Sequence, residues 1–499
     1  MTQSSAQVFS RTQELTHLSR RSVLTSLGMG VTGMMLGVLE EEQRQRTWAA
    51  FPDRPSRLPH HTPRVKSVIW LFMVGGVSHL ESFDPKPVLN QYAGEEIGNT
   101  PYREFIESPL IRENLRIVVP NDANGHIRSK LFPLQVGYRR WGESGLEISD
   151  WWPHVAHHAD KLAIVRSMWT TDNNHGAQLQ FHTGRHTLDG VFPTIGSWIH
   201  YGLGSLNDNL PQFVVLGEPL ADCCGGSHGH GSQYLGPEHA GIRLKVDPRD
   251  PLPFARPATV LPSAEAQARQ RLWRSLSDLA LAEFPEDTAL QARIRAYELA
   301  FRMQMAVPEL MDFSQETKET QELYGLERPT TRNFGQLCLA ARRLVERGVR
   351  FVQVFHGSNG GAGAWDAHSD LKQNHARLCE QVDQPIGALL HDLERRGLLD
   401  ETLVVWGTEF GRTPGAQGTG RDHHPFGFSV WLAGGGIRGG VAHGATDPLG
   451  FHAVEDRHYI TDLHATVLHL LGLHPHRLEI PGRKRLEIEF GHVMEAILS

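Results

Sequence analysis

The chain has 499 residues, enough for one elaborate α/β domain or two smaller domains. Its hydrophobic content of 40% and charged content of 21% are typical of globular proteins. The formal net charge of -7 provides no basic excess to displace phosphate counterions, so we expect no nucleic-acid partner. Four cysteines without a CxxC spacing exclude a disulfide framework and a zinc ribbon, whereas 29 histidines favour metal binding or acid/base chemistry.

Residues 1–50 predict an export signal and a linker. The arginine pair Arg20-Arg21 precedes a glycine-containing apolar run that is shorter than a spanning helix, as in a bacterial twin-arginine signal. An N-terminal helix of the mature fold is the alternative, which the glycines of this run disfavour. We therefore expect a periplasmic or secreted protein with no transmembrane segment beyond the signal.

The rest of the chain, residues 60–499, predicts an α/β domain. Short apolar runs rich in β-branched and aromatic residues predict buried strands at Val65–Val74, Leu162–Val165, Phe351–Phe355, Leu403–Trp406 and Phe428–Ala433. Helical periodicity follows at Asn374–Leu398, which makes a parallel βαβ unit from Phe351 to Trp406. A helix begins near Gly176 and ends at Gly184, and Asp462 is expected to cap a last short helix.

Residues 222–335 interrupt this strand rhythm. Gln267–Glu283 and Ala289–Met305 show helical periodicity with many charges, so we interpret the region as a helical insertion.

Polar side chains cluster directly after several predicted strands, where open α/β sheets bind their ligands. Asp366 and His368 follow one strand and supply oxygen and nitrogen ligands suited to Zn²⁺, Mn²⁺ or Fe²⁺. A second polar loop lies between two later strands and carries Glu409, Arg412, Arg421, Asp422, His423 and His424. Near the start of the Gly176 helix, Asn174 and His175 stand where an anion would rest. These clusters predict a metal site, with a polar surface loop as the alternative.

With these segments in order, the chain resembles the alkaline phosphatase, sulfatase and phosphoglycerate mutase superfamily, and most closely its secreted family named domain of unknown function 1501. The resemblance rests on motifs spread over residues 64–499: VIWLFMVGGVSHLESFDPKP, NHG…HTGR, WDAHSDL, WGTEFGRTP, GRDHHPF, LAGGGIRGG and DLHATVLHLLG. It implies a three-layer α/β/α sandwich that binds one or two divalent ions, here Zn, Mn or Ca, with the number of ions left open.

The resemblance also implies roles for individual residues. Asp366, His368 and His423 match the first metal site of the enzymatic relatives, with His424 as a substitute for the last ligand. The second metal site departs from the pattern, although Glu409 and Asp84 remain candidate ligands. Asn174 stands at the position of the nucleophile, and an amide cannot attack a phosphoryl or sulfuryl centre.

Three functions follow from these residues. The first is an exported metal-dependent hydrolase of phosphate or sulfate esters, acting on an anionic ester or glycan, in which Arg412 or Arg421 holds the anionic group. The second is a non-catalytic binding or assembly protein that retains the fold, which Asn174 favours. The third is a metal-dependent isomerase or mutase.

Overall fold

The computed structural model describes residues 57–116, 128–252, 263–478, 480 and 491–499. The predicted twin-arginine segment lies outside these residues. Within the described ranges, no helix combines the length and the apolar character needed to cross a bilayer.

A nine-stranded sheet forms the centre of the α/β unit, with strand order β12-β4-β11-β8-β1-β7-β5-β6 and with β15 also paired to β4. The strands of the described residues are β1 (Ser67–Met73), β2 (Tyr138–Trp141), β3 (Leu146–Ser149), β4 (Leu162–Trp169), β5 (Phe213–Leu216), β6 (Ile242–Leu244), β7 (Phe351–His356), β8 (Thr402–Gly407), β9 (Gly411–Gln417), β10 (Gly420–His424), β11 (Phe428–Gly434), β12 (Val441–His443), β13 (Ala445–Thr446), β14 (Ala453–Glu455) and β15 (His458–Tyr459).

The α-helices of the same residues are α1 (Val88–Gln91), α2 (Pro109–Asn114), α3 (Pro153–Ala156), α4 (Gly176–Thr183), α5 (Ile195–Leu203), α6 (Ser263–Glu283), α7 (Thr288–Met311), α8 (Lys318–Leu323), α9 (Pro329–Glu346), α10 (Leu371–Arg395) and α11 (Ile460–Leu470).

The direction of the strands determines where the polar clusters meet. β1 pairs in parallel with both β7 and β8, so that Ile69 lies between Val352 and Val404. β11 alone in this sheet runs the other way, antiparallel to β4 and β8. The carboxyl ends of β1, β4, β7 and β8 therefore share one edge of the sheet, which confirms the predicted parallel βαβ unit.

Both faces of the sheet are covered, and the mostly apolar residues of its central strands are buried, as expected of parallel strands. On one face, Trp70 packs against Phe181 of α4 with ring centroids 5.1 Å apart, and α5 and α11 add to the same core. On the other face, Trp406 lies 5.5 Å from the ring of Trp152 at the start of α3, and α10 packs on α3 and α9. The predicted three-layer α/β/α arrangement is confirmed.

Three local predictions are wrong. The polar segment after β8 is not a loop but a hairpin, in which β9 and β10 pair across Gly418 and Thr419. β6 lies inside the region interpreted as a helical insertion, yet it pairs with β5 and extends the sheet. Asp462 lies in the first turn of α11, and Tyr459 occupies the N-cap position.

Residues 247–309 belong to a second compact unit, whose described part contains α6 and most of α7. The two helices are joined by a short turn, and Trp273 of α6 lies 5.5 Å from Tyr297 of α7 between ring centroids. Both helices begin within four residues of their predicted starts, at Ser263 and Thr288.

Candidate metal centre

Three ligand atoms form a triangle at the carboxyl edge of the sheet. Oδ1 of Asp366 lies 3.0 Å from Nε2 of His368 and 3.0 Å from Nε2 of His423. The two imidazole Nε2 atoms are also 3.0 Å apart. Asp366 and His368 lie in the loop between β7 and α10, and His423 lies on β10, so two separate segments build the triangle.

The hydrogen bonds behind the two imidazoles fix which ring nitrogen carries the proton. Nδ1 of His423 lies 2.9 Å from the backbone carbonyl of Asn173 and must donate to it. Nδ1 of His368 contacts Oε1 of Gln417 and donates to that oxygen in the same way. In a neutral imidazole the other nitrogen then carries a lone pair. Both Nε2 atoms therefore turn lone pairs towards the carboxylate of Asp366.

The electrostatics of the triangle favour these protonation states. Burial lowers the pKa of His423 to about 3, with the charge of Arg412 acting in the same direction and Asp366 opposing it. Burial by itself raises the pKa of Asp366, but the surrounding imidazoles and the guanidinium of Arg412 lower it well below its ordinary value. A carboxylate and the neutral imidazole of His423 thus meet with their lone pairs converging.

These three atoms fit a divalent ion. Ligands placed at about 2.0–2.2 Å from one ion and at right angles to each other are roughly 3 Å apart, which is the spacing of the triangle. Imidazole and carboxylate ligands suit Zn²⁺ and Mn²⁺. Two overlapping groups, His175/Asp366/His423 and His368/Asp422/His423, place their ligand atoms within 4.8 Å of one another. Asp366 and His368 are 17% and 27% exposed, so the centre opens towards solvent on their side.

His175 connects the triangle to Glu409. Its Nε2 lies 3.3 Å from Oδ2 of Asp366, and its Nδ1 lies 3.1 Å from Oε1 of Glu409. Burial alone lowers the pKa of His175, but the hydrogen bonds to the two carboxylates raise it to about 9. His175 is therefore an imidazolium at neutral pH, held between two carboxylates.

Glu409 has its own set of protein donors. The backbone N–H of Gly75 donates to both carboxylate oxygens at 2.9 and 3.1 Å, and the side-chain amide of Gln178 donates to Oε1 at 3.0 Å. Glu409 is thus separated from the triangle by the ring of His175. The ring of Phe410, centred 4.5 Å from that of His423, forms an apolar wall beside it.

Gly75 allows the turn after β1 to approach the Asp366 loop. Its φ of +122° lies in the region that favours glycine, and a Cβ there would lie 2.6 Å from the backbone nitrogen of Asp366. The turn after β1 thus supports both Glu409, through the N–H of Gly75, and the position of Asp366.

Arg412 holds the carboxylate of Asp366 in place. Its Nη2 donates to Oδ1 of Asp366 at 2.8 Å, and its Nε donates to the carbonyl of Gly76 at 2.8 Å. The side chain is fully buried, so it fixes Asp366 rather than facing a substrate. This position corrects the expectation that Arg412 holds the anionic group of the ester.

Three further candidates lie away from the triangle. Arg421 is buried and pairs with Glu81 at 2.7 Å, and it also donates to four backbone carbonyls. Asp84 accepts from Thr446 and lies 3.0 Å from Lys86. His424 donates through Nε2 to the carbonyl of Phe451, because neighbouring residues of β10 point to opposite sides. The structure thus gives none of the three the predicted role.

Asn174 precedes His175 at the start of α4. Its side-chain oxygen accepts from the backbone N–H of His175, at 2.8 Å. Two supporting residues were not predicted from the sequence, namely Gln417 and Gln178. Gln417 could have been found only from the pairing of β9 with β10, which brings it to His368. Gln178 could have been found from its position one helical turn after His175, at the start of α4.

A family model described as a protein of unknown function, DUF1501, matches residues 65–498. The chain belongs to the DUF1501 family. This membership confirms the prediction made from the motifs. No curated protein matches the sequence.

Solved structures similar to this DUF1501 protein include three from bacteria. A protein in the alkaline phosphatase superfamily from Vibrio parahaemolyticus is 9% identical, with 89% of this chain and 75% of that chain covered and a TM-score of 0.35. The PsFucS1 sulfatase from Pseudoalteromonas sp. is 12% identical, with coverages of 90% and 72% and a TM-score of 0.32. The lipoteichoic acid synthase LtaP from Listeria monocytogenes is 9% identical, with coverages of 88% and 78% and a TM-score of 0.34.

Proposed function

We propose that this protein is an exported, metal-dependent hydrolase of phosphate or sulfate esters that uses one divalent ion, Zn²⁺ or Mn²⁺, which two imidazole ligands favour over the expected alternative Ca²⁺. The observation that carries the proposal is the triangle of Asp366, His368 and His423, whose lone pairs converge at 3.0 Å. Three lone pairs at this distance repel one another unless a cation lies among them. The twin-arginine pattern supports export, and cargo of this kind crosses the membrane already folded, so that it can acquire a metal before export.

The residues around the triangle have distinct tasks in this proposal. When bound, a divalent ion supplies positive charge that attracts and polarises the oxygens of an anionic ester. Arg412 fixes Asp366, and His175 holds a proton between Asp366 and Glu409. Glu409 is occupied by His175, Gly75 and Gln178, which supports one ion rather than two. Because the amide of Asn174 is no nucleophile, a water molecule attacks the ester directly.

Turnover of aryl esters by the metal-loaded full chain tests the proposal. The protein is treated with a chelator, reconstituted separately with Zn²⁺, Mn²⁺ or Ca²⁺, and assayed with p-nitrophenyl phosphate, bis(p-nitrophenyl) phosphate and p-nitrophenyl sulfate. We expect at least one ester to be hydrolysed, and we expect the activity to disappear in the chelated protein and in His423→Ala. The exposed His476 provides the matched control, because His476→Ala leaves the triangle intact.

A second candidate function is non-catalytic binding of an anionic glycan. The observations that favour it are Asn174 at the nucleophile position and the burial of Arg412 and Arg421 among protein acceptors. A metal-loaded protein that leaves all three esters intact would overturn the hydrolase proposal. Saturable binding of a sulfated polysaccharide that persists in a His368→Ala, His423→Ala double variant would then favour the binding function.

A further inference from the structure

Two histidines that are far from the triangle in sequence meet at the edge of the sheet. β12 and β15 both pair in parallel with β4, and this pairing places His443 opposite Val165 and His458 opposite Met168. The Nε2 atoms of His443 and His458 lie 2.9 Å apart, and their ring centroids lie 5.0 Å apart. We call this pair the His443 clamp.

A carboxylate stands behind each imidazole of the His443 clamp. Nδ1 of His458 lies 3.0 Å from Oδ2 of Asp462 and donates to it, so its Nε2 carries a lone pair. The other oxygen of Asp462 accepts from the backbone N–H of His492 at 2.9 Å, which holds the carboxylate in place. Nδ1 of His443 faces Oδ2 of Asp456 at 4.0 Å. The two Nε2 atoms thus face each other, with a hydrogen-bonded carboxylate behind His458 and a more distant, exposed carboxylate behind His443.

This arrangement has the chemistry of a metal site. Histidines that bind metals through Nε2 commonly donate Nδ1–H to a carboxylate, which fixes the tautomer and makes the ligand more basic. Two nitrogen ligands at about 2.0–2.1 Å from one ion are roughly 3 Å apart when they bind at right angles, close to the observed spacing. The side chains of His443 and His458 are 13% and 16% exposed, so water can complete the coordination of an ion.

We propose that His443 and His458 form a second metal site, a bis-imidazole clamp for a borderline transition-metal ion such as Zn²⁺, Ni²⁺ or Cu²⁺. Imidazole nitrogen suits these ions, whereas Ca²⁺ and Mg²⁺ prefer oxygen ligands and are not expected to bind here. The clamp shares no residue with the triangle of Asp366, His368 and His423. Its ion can therefore be removed independently of the one at the triangle.

Zinc titration of the chelated full chain tests the clamp. We expect isothermal titration calorimetry with ZnCl₂ to give two ions per wild-type chain and one ion per His443→Gln chain. His443→Gln retains the triangle, so its hydrolysis of aryl esters, where the wild type has it, is expected to stay within about twofold. Equal zinc stoichiometry and affinity in the two proteins would overturn the clamp, because the histidines would then share only an N–H···N hydrogen bond.

A second variant and a second probe keep this test independent of folding defects. Asp462→Asn retains both nitrogen ligands but weakens the acceptor behind His458, and we expect it to lower zinc affinity at the clamp by about 10 to 100-fold. In the wild-type chain, the triangle is first filled with one equivalent of Zn²⁺ and Cu²⁺ is then added. Cu²⁺ that displaces Zn²⁺ from the triangle would also bind two imidazoles, so the same measurement is made on His443→Gln. An electron paramagnetic resonance spectrum with two equatorial nitrogens that His443→Gln loses supports the clamp, and an identical spectrum in the two proteins contradicts it.

Discussion

The triangle and the His443 clamp both bring two imidazole Nε2 atoms to about the same separation, 3.0 Å and 2.9 Å. They differ in where the negative charge lies. At the triangle, the carboxylate of Asp366 is itself one of the converging groups. At the clamp, Asp456 and Asp462 stand behind the rings and touch an ion only through them.

This difference predicts different affinities and different roles. A carboxylate in direct contact attracts a dication far more strongly than one that is separated from it by an imidazole ring, because the interaction weakens with distance. The triangle also lies at the carboxyl edge of the parallel strands, where α/β folds bind substrates, whereas the clamp lies on β12 and β15, the strands that pair with β4 at the side of the sheet. We therefore expect a tight ion at the triangle, tied to catalysis, and a weaker ion at the clamp.

The largest expected effect is that of Asp366→Asn, which removes the only anion of the triangle. Loss of this charge is expected to lower the hydrolysis rate by at least about 10³-fold, or about 4 kcal/mol, since metal catalysis supplies several kcal/mol. Ion analysis of the chelated and reloaded protein should show loss of the tight ion and retention of the clamp ion. His458→Gln is the matched control, which is expected to lose the clamp ion, to keep the tight ion and to hydrolyse esters at an unchanged rate. An Asp366→Asn chain that keeps both ions would contradict the comparison.

Gly75→Ala tests the triangle without changing a ligand. A Cβ at this position would lie 2.6 Å from the Asp366 nitrogen, on a backbone with φ +122°. We expect the free energy of unfolding to fall by about 2–4 kcal/mol in urea titrations. Zinc affinity should fall at the triangle and stay unchanged at the clamp. Gly94→Ala provides the control, because Gly94 also has a positive φ but has no atom within 4 Å of an added Cβ.

The strands that position the triangle could be predicted from the sequence, but the side chains facing it could be predicted only in part. Buried apolar runs such as Phe351–Phe355 are unambiguous, and they place Asp366 and His368 correctly after β7. The β9–β10 hairpin was missed because its buried residues are polar on both faces. Because polar and apolar residues do not alternate along the hairpin, the sequence does not indicate that His423 faces Asp366 while its neighbour His424 faces Phe451.

The clamp was not predicted at all, for a related reason. His443 and His458 are separated by 14 residues. The histidines at a metal-binding spacing from His458 are instead His452 and His464, whose rings contact the backbone carbonyls of Phe105 and Phe181. Only the shared pairing of β12 and β15 with β4 brings His443 and His458 together. The pairing of short strands that are distant in sequence does not produce a local hydrophobic periodicity. Sites built in this way can therefore be recognised only from the three-dimensional structure.

In the metal-free protein, His175 beside the triangle and His443 in the clamp are expected to change the free energy of unfolding with pH in opposite directions. The pKa of His175 is raised from 6.5 to about 9, so its stabilising contribution is complete below pH 6.5 and is lost as the pH rises through 9. The full contribution is about 3 kcal/mol. Burial lowers the pKa of His443, so folding disfavours its charged form and stability falls as the pH drops below 6.5.

Urea unfolding of the chelated protein between pH 5 and pH 10 measures both effects. We expect His175→Gln to remove the loss of stability on the alkaline side, and we expect His443→Gln to reduce the loss on the acidic side. Glu409→Gln sharpens the first result, because it removes one of the two carboxylates that raise the pKa of His175 and should shift the alkaline loss to lower pH. If the free energy of unfolding falls equally above neutral pH in wild type and in His175→Gln, the assignment of His175 as an imidazolium is wrong.

The smallest expected effect concerns Gln417, the residue behind His368. Its side-chain oxygen accepts from Nδ1 of His368 as Asp462 accepts from His458, but it carries no charge. We expect Gln417→Leu to lower zinc affinity at the triangle by about tenfold, the lower end of the range for such supporting contacts, because a neutral acceptor enhances ligand basicity less than a carboxylate does. Competition of the protein with a chromophoric chelator for Zn²⁺ measures this loss against that of Asp462→Asn at the clamp. A larger loss in Gln417→Leu than in Asp462→Asn would mean that the charge behind the ring is not what separates the two sites.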